Sequence, residues 1–160
     1  MTARVLIVDD NSANRRLLEA RLTAEYFTVQ TASNGADALA MCSVDLPDVI
    51  LLDVMMPGMD GFETMQEIRK IPESRAMPVI FLTARSEPED VARGFELGGV
   101  DYITKPFHGV ELRSRVRNHI DLHRYRQDLE QTVLERTEET VLLKDITIVA
   151  MGELAEHRDN

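Results

Sequence analysis

The chain has 160 residues, 44% of them apolar, with 18 Lys and Arg against 28 Asp and Glu for a net charge of -10. That length holds one well-buried domain and an appendage but hardly two complete domains, and the acidic balance disfavours direct contact with nucleic acid or an anionic membrane surface. A single cysteine, Cys42, excludes an intrachain disulfide; with no signal-peptide stretch and no run approaching the ~20 residues of a membrane span, a reducing cytoplasm is the expected home.

In chain order, short apolar runs alternate with amphipathic helical stretches. Strands are predicted at 4–8, 27–32, 48–53, 78–83 and 100–104, and helices at 12–25, 34–44, 61–71 and 86–98, with a fifth helix starting near His108. Three of the strands are continuously apolar, as parallel strands covered on both faces are. The repeated βα unit therefore predicts an α/β fold, an open, doubly wound, five-stranded parallel sheet with five helices. Cys42 falls on the apolar side of the second helix, where it acts as a small hydrophobe.

Ligands of such sheets bind outside the carboxyl ends of the strands. Those ends carry Asp9 and Asp10 after the first strand, Asp53 at the end of the third, Thr83 and Ala84 at the end of the fourth, and Lys105 after the fifth. Singly they say little: an Asp pair after a strand is more often a helix N-cap, and a strand-end Thr or Lys is usually solvated. Together on one sheet edge they would repel, at roughly 4 kcal/mol per close carboxylate pair for an effective dielectric near 20. A hard divalent cation offsets this, and an all-oxygen set with few protein ligands suits Mg2+ better than zinc. Asp53 then stays ionised and can attack phosphorus, while Lys105 and the Thr83 hydroxyl spread over the transition-state charge. Pro57, Gly58 and Gly61 let the chain turn sharply beside this site.

The segments "VLIVDDNSANR", "DVILLDVMMPGMDGFE", "PVIFLTAR" and "GGVDYITKPF" together resemble the bacterial response-regulator receiver domain of two-component signalling, over residues 4 to about 123. The resemblance implies a chemotaxis-type, flavodoxin-like sheet of order 2-1-3-4-5. It implies Asp53 as phosphoacceptor, Asp9, Asp10 and Asp53 as Mg2+ ligands completed by the backbone carbonyl of Met55, and Thr83 and Lys105 as the other catalytic groups. Thr83 and Tyr102 would form the switch: the hydroxyl swings toward the phosphoryl group and Tyr102 rotates inward, against the alternative of a static half-buried tyrosine. A cis Lys105-Pro106 peptide is also implied, with a sensor histidine kinase or phosphotransfer protein as partner. Two positions that tune phosphoryl hydrolysis in the family hold Met55 and Arg85, and an apolar Met55 is expected to give a long-lived phosphoform. Gly99 stands where the family commonly has alanine, a change expected to matter little.

Beyond about His123 the helical pattern continues without proline. Leu122, Leu129 and Leu143 repeat with heptad spacing, but Arg136 interrupts the track. The expectation is a parallel homodimer, made through this helix and the face of the fourth helix, fifth strand and fifth helix, with a solvated single helix as the alternative. His119 and His123 stand one turn apart with no third ligand nearby, so exposed or interfacial histidines are expected, and His108 is read as a helix-start residue. The terminal "DITIVAMGELAEHRDN" resembles the opening helix of the HD-GYP domain, a metal-dependent cyclic di-GMP phosphodiesterase module, although neither the His-Asp pair nor the Gly-Tyr-Pro motif of that family occurs. The expected organisation is a receiver at 1–123, a helical linker at 124–147 and the truncated start of an effector at 148–160. Rival readings are a receiver controlling a diguanylate cyclase or kinase, an interaction module that has lost phosphotransfer, and a phosphohydrolase with an aspartyl nucleophile. The last would want DxD after the first strand, where this chain reads "VDDN".

Overall fold

The structure, a computed structural model, describes residues 2–84 and 88–158, with side chains through Gly152. Five strands, β1 (Arg4–Val8), β2 (Thr28–Ala32), β3 (Val49–Asp53), β4 (Val79–Ala84) and β5 (Asp101–Lys105), form one parallel sheet in the order β2-β1-β3-β4-β5. The helices are α1 (Ser12–Ala24), α2 (Gly35–Val44), α3 (Gly61–Arg69), α4 (Pro88–Glu96) and α5 (Gly109–Arg158). Fold class, strand order and the long last helix agree with expectation. The chain separates into two compact units, 1–123 and 124–160.

In the first unit the central strands are apolar apart from residues at their ends, because both sheet faces are covered. Val5, Ile7, Val49, Leu51, Ile80 and Leu82 pack with Leu18 and Leu22 of α1 and Leu112, Val116 and Ile120 of α5. Leu6, Val8, Ile50, Leu52, Val79 and Phe81 point the other way, toward Ala38 and Cys42 of α2 and Phe62, Met65 and Ile68 of α3. Period-two alternation thus divides apolar from apolar rather than apolar from polar. Cys42 is buried in the second layer, which pushes its thiol up to about 11. Edge strand β2 alternates exposed and covered residues instead.

A 3-10 turn at Pro72–Ala76 was not expected; Ser74 is buried there and donates to the Ile68 and Ile71 carbonyls, while Arg69 donates to Ser74 and Met77. Gly99 departs from expectation too. A Cβ there would lie 2.6 Å from the Phe81 ring and 2.9 Å from the Gly94 carbonyl oxygen, so alanine does not fit without a shift. Phe81 fills that space because it also packs on Phe62, centroids 5.3 Å apart, beneath a guanidinium from Arg93.

The second unit is helical where described, and its large apolar side chains, including Leu129, Val133, Leu134, Val141, Leu142, Leu143 and Ile146, are exposed. Among the described residues no helix is long and apolar enough to cross a membrane.

Candidate functional site

The carboxyl ends of β1, β3, β4 and β5 meet at one edge of the sheet. Asp9 follows β1 and is fully buried (0% exposed), whereas Asp10 is exposed. Neither caps α1: the cap is Asn11, whose side chain accepts from the Asn14 amide at 3.0 Å. The aspartate pair is therefore free of the commonest role for such a pair.

Asp53 closes β3 at 2% exposure. Its Oδ1 accepts from the Met55 amide at 3.2 Å and lies 3.1 Å from Lys105 Nζ, which also stands 3.5 Å from Asp9 Oδ2. One carboxylate oxygen from each of Asp9, Asp10 and Asp53 can be chosen so that all three lie within 4.8 Å of one another. Burial first and the charge of Asp9 second push the Asp53 carboxyl up to about 6, against the opposing pull of Lys105 and the Met55 N–H. Lys105 thus offsets the desolvation and the neighbouring Asp9 charge only in part. The cluster offers oxygen donors and no His or Cys, which fits a hard divalent cation.

The loop after β3 turns as its residues require. Gly58 takes a φ of +75°, and at Gly61 a Cβ would fall 2.3 Å from the Asp53 carbonyl oxygen, so only glycine passes there. Asp60 and Glu63 then form a capping box that starts α3. Met55 is 70% exposed. The other tuning position, Arg85, lies outside the described residues.

Thr83 is buried at the end of β4, and its hydroxyl donates to the Ala84 carbonyl at 3.3 Å rather than to Asp53. Tyr102, half-buried on edge strand β5, meets Phe95 of α4 edge-on at 5.9 Å and lies 6.0 Å beneath the Arg115 guanidinium. Lys105-Pro106 is cis. The sequence-predicted residues Asp9, Asp10, Asp53, Met55 and Lys105 are thus brought together; Thr83 stands close in the sheet, paired in register with Thr104 beside the Asp53–Leu82 pair, and Tyr102 lies on the flank.

Two groups escaped sequence reasoning. Asp9 accepts from the Asn11 N–H at 2.9 Å and the Asn14 side-chain amide at 3.2 Å, and its carbonyl accepts from Arg15 at 2.7 Å. The tight spacing of Asn11 and Asn14 after the aspartates was the available signal. On the flank, Asp101 accepts from Arg115 at 2.6 Å and bonds His119 at 3.0 Å. Burial would raise its carboxyl, yet the hydrogen bonds from Arg115 and His119 hold it below the usual carboxylate range. His119 is half-buried and engaged with Asp101 of β5, and His123 is half-buried as well. His108 does stand at a helix start, its carbonyl accepting from Leu112.

The chain is similar to known proteins in sequence and fold. Residues 5–117 match the family described as the response regulator receiver domain. The response regulator PleD of Caulobacter vibrioides is 53% identical over 118 residues, 74% of this chain and 26% of PleD. A Vibrio cholerae protein named "Probable cyclic di-GMP phosphodiesterase" is 39% identical over 162 residues, 97% of this chain and 36% of that protein, so the chain spans only about a quarter to a third of these relatives. Among solved structures, a response regulator from Chloroflexus aurantiacus superposes with a TM-score of 0.73 at 35% identity, covering 76% of this chain and 99% of that one. The chemotaxis protein CheY4 of Vibrio cholerae gives 0.71 at 32% identity, covering 74% and 98%. On the family match and the shared fold, this chain belongs to the response regulator receiver domain family.

Proposed function

We propose that the protein accepts a phosphoryl group on Asp53 from a sensor histidine kinase or a phosphotransfer protein and passes the change to its C-terminal helix. The observation that carries this reading is the burial of Asp53 beside Asp9, Asp10 and Lys105, a carboxylate short of positive charge at a strand end. Asp9, Asp10, Asp53 and the Met55 carbonyl would hold Mg2+, which when bound supplies charge neutralisation for in-line transfer. An Asp53 carboxylate oxygen forms the new O–P bond as the donor's P–N bond breaks, and the electron pair stays on the departing imidazole nitrogen. Lys105 stabilises the charge gathering on the phosphoryl oxygens. The Thr83 hydroxyl, which among the described residues makes the long bond to the Ala84 carbonyl, then exchanges that carbonyl for a phosphoryl oxygen, and Tyr102 moves into the space released.

In this reading residues 1–123 are the receiver, 124–147 a linker that pairs with a second copy, together with the face made by α4, β5 and the start of α5, and 148–160 the first residues of an effector. The alignment of the tail with the Vibrio cholerae relative supports a cyclic di-GMP phosphodiesterase as that effector. Incubation with Mg2+ and acetyl phosphate, followed by intact-mass analysis, tests the core of the proposal. One added phosphoryl group on the native chain and none on Asp53→Asn is expected; equal labelling of both overturns it, and turnover of phosphate esters would point to a hydrolase.

A further inference from the structure

Asp9 is the deepest acid of the cluster, at 0% exposure, and a carboxylate so buried is stable only when its lone pairs are met. Its partners come from the first turn of α1. Asn11 supplies a backbone N–H to Oδ1 at 2.9 Å, and Asn14, one turn into the helix, supplies its side-chain amide to Oδ2 at 3.2 Å. The Asn14 backbone amide is in turn tied to the Asn11 side chain at 3.0 Å, so the cap that starts α1 also aims the Asn14 side chain. Lys105 reaches the same Oδ2 from 3.5 Å but lies nearer to Asp53, at 3.1 Å.

A carboxylate oxygen meeting both an amide and an ammonium depends less on the ammonium. We propose that Asn14 is a positioning residue of the cation site: it holds the Asp9 carboxylate toward the cluster and thereby leaves Lys105 to Asp53 and the incoming phosphoryl group. The inference rests on the reading of Asp9 as a cation ligand. Groups that orient a metal-binding carboxylate from behind govern affinity nearly as strongly as the ligands, typically 10- to 100-fold on removal. An aliphatic residue at position 14 leaves one Asp9 oxygen to Lys105 alone, drawing the ammonium from Asp53.

The test is a calorimetric titration of Mg2+ into the 160-residue chain without phosphodonor, beside Asn14→Leu, Asn14→Ala and Asn14→Gln. Asn14 is a half-buried helical position, where Ala and Leu favour the helix and the fold should hold. Leu and Ala are expected to weaken Mg2+ binding roughly 10-fold, with Gln, which keeps an amide donor, recovering part of the loss. Phosphorylation by acetyl phosphate should fall for Leu and Ala at limiting Mg2+ and recover most of its rate at saturation. Mg2+ affinity within twofold of native for Leu and Ala, whether or not their metal-free melting temperature falls, overturns the role of Asn14 while the receiver reading stands. Absence of Mg2+ binding by the native chain overturns both.

Discussion

Lys105 Nζ lies 3.1 Å from Asp53 Oδ1 and 3.5 Å from Asp9 Oδ2, so one ammonium on β5 serves two buried carboxylates from other strands. Removing one partner of a buried pair leaves an uncompensated charge, at a cost of roughly 3–5 kcal/mol when burial is complete. Lys105 keeps 28% side-chain exposure, so solvent screening reduces the figure, and Lys105→Met is expected to destabilise the metal-free protein by about 2 kcal/mol. Urea denaturation at pH 7.5 in a chelator measures this. In an Asp53→Asn background Lys105→Met should cost clearly less than in the native chain, because the carboxylate that needed the ammonium is gone.

Asp53 also sets a pH dependence. Its folded carboxyl titrates at about 6 against 3.8 for the ordinary group, raised by burial and by Asp9. A raised value means the folded state holds its proton more tightly than the unfolded one, so this stabilisation is complete below about 3.8 and lost as pH rises through about 6. At pH 7.5 without metal, Asp53→Asn should therefore be more stable than native by on the order of 2 kcal/mol, a gap that closes as pH falls from about 6 to 3.8. Added Mg2+ should shrink the same gap at pH 7.5. Thermal melts across this range, with and without Mg2+, decide the matter; a gap that ignores pH would mean that Asp53 is not the group responsible.

These two relationships divide what the sequence reveals from what it hides. Runs such as residues 49–52 disclose a parallel sheet because burial on both faces demands successive apolar residues, and Asp53 is conspicuous for ending one. The strand-end residues are legible because topology alone gathers them. The holders of Asp9 are less so, since the Asn14 amide reaches Oδ2 only through the placement of α1 against β1. The bond from His119 to Asp101 spans 18 residues, and nothing in the one-turn spacing of His119 and His123 foretells it. Gly99 is hidden most deeply, because its meaning depends on where the Phe81 ring goes.

That ring makes Gly99→Ala a sharp test. The added methyl would meet Phe81 at 2.6 Å and the Gly94 carbonyl at 2.9 Å, and the backbone contact cannot be relieved by a rotamer change. Overpacking of this kind costs about 1–3 kcal/mol. Phe81→Leu alone should also destabilise, since it empties space beside Phe62. The double variant should lose less than the sum, by chemical denaturation, because the smaller side chain accommodates the new methyl.

In the proposed reading Met55 would bear on the lifetime of the phosphoform. Its side chain stands 70% exposed beside Asp53 and carries no group able to orient an attacking water. Met55→Asn supplies a donor and an acceptor at the same place, and its phosphoform is expected to decay several-fold faster than native, since positioned polar groups at a reacting centre are worth an order of magnitude or more. Intact-mass time courses after removal of the phosphodonor give both rates. Equal rates would show that hydrolysis in this chain is governed elsewhere.

Arg136 discriminates between a paired and a solitary tail. Leu129, Val133, Thr140 and Leu143 follow one another at steps that keep them on one helical face, and all are exposed. Arg136 sits on that face between Val133 and Thr140. In a solvated single helix its replacement by Leu adds one more exposed apolar residue and leaves the chain's association unchanged. In a seam between two copies, the native arginines must be desolvated against each other or bend away, a penalty that leucine removes while adding buried area. Arg136→Leu is therefore expected to tighten dimerisation at least 10-fold, and Leu129→Asp to abolish it. Sedimentation equilibrium over a range of concentrations reads both. Were the two variants and the native chain to share one association constant, this face would not be where copies meet, and the signal from the receiver would leave by another route.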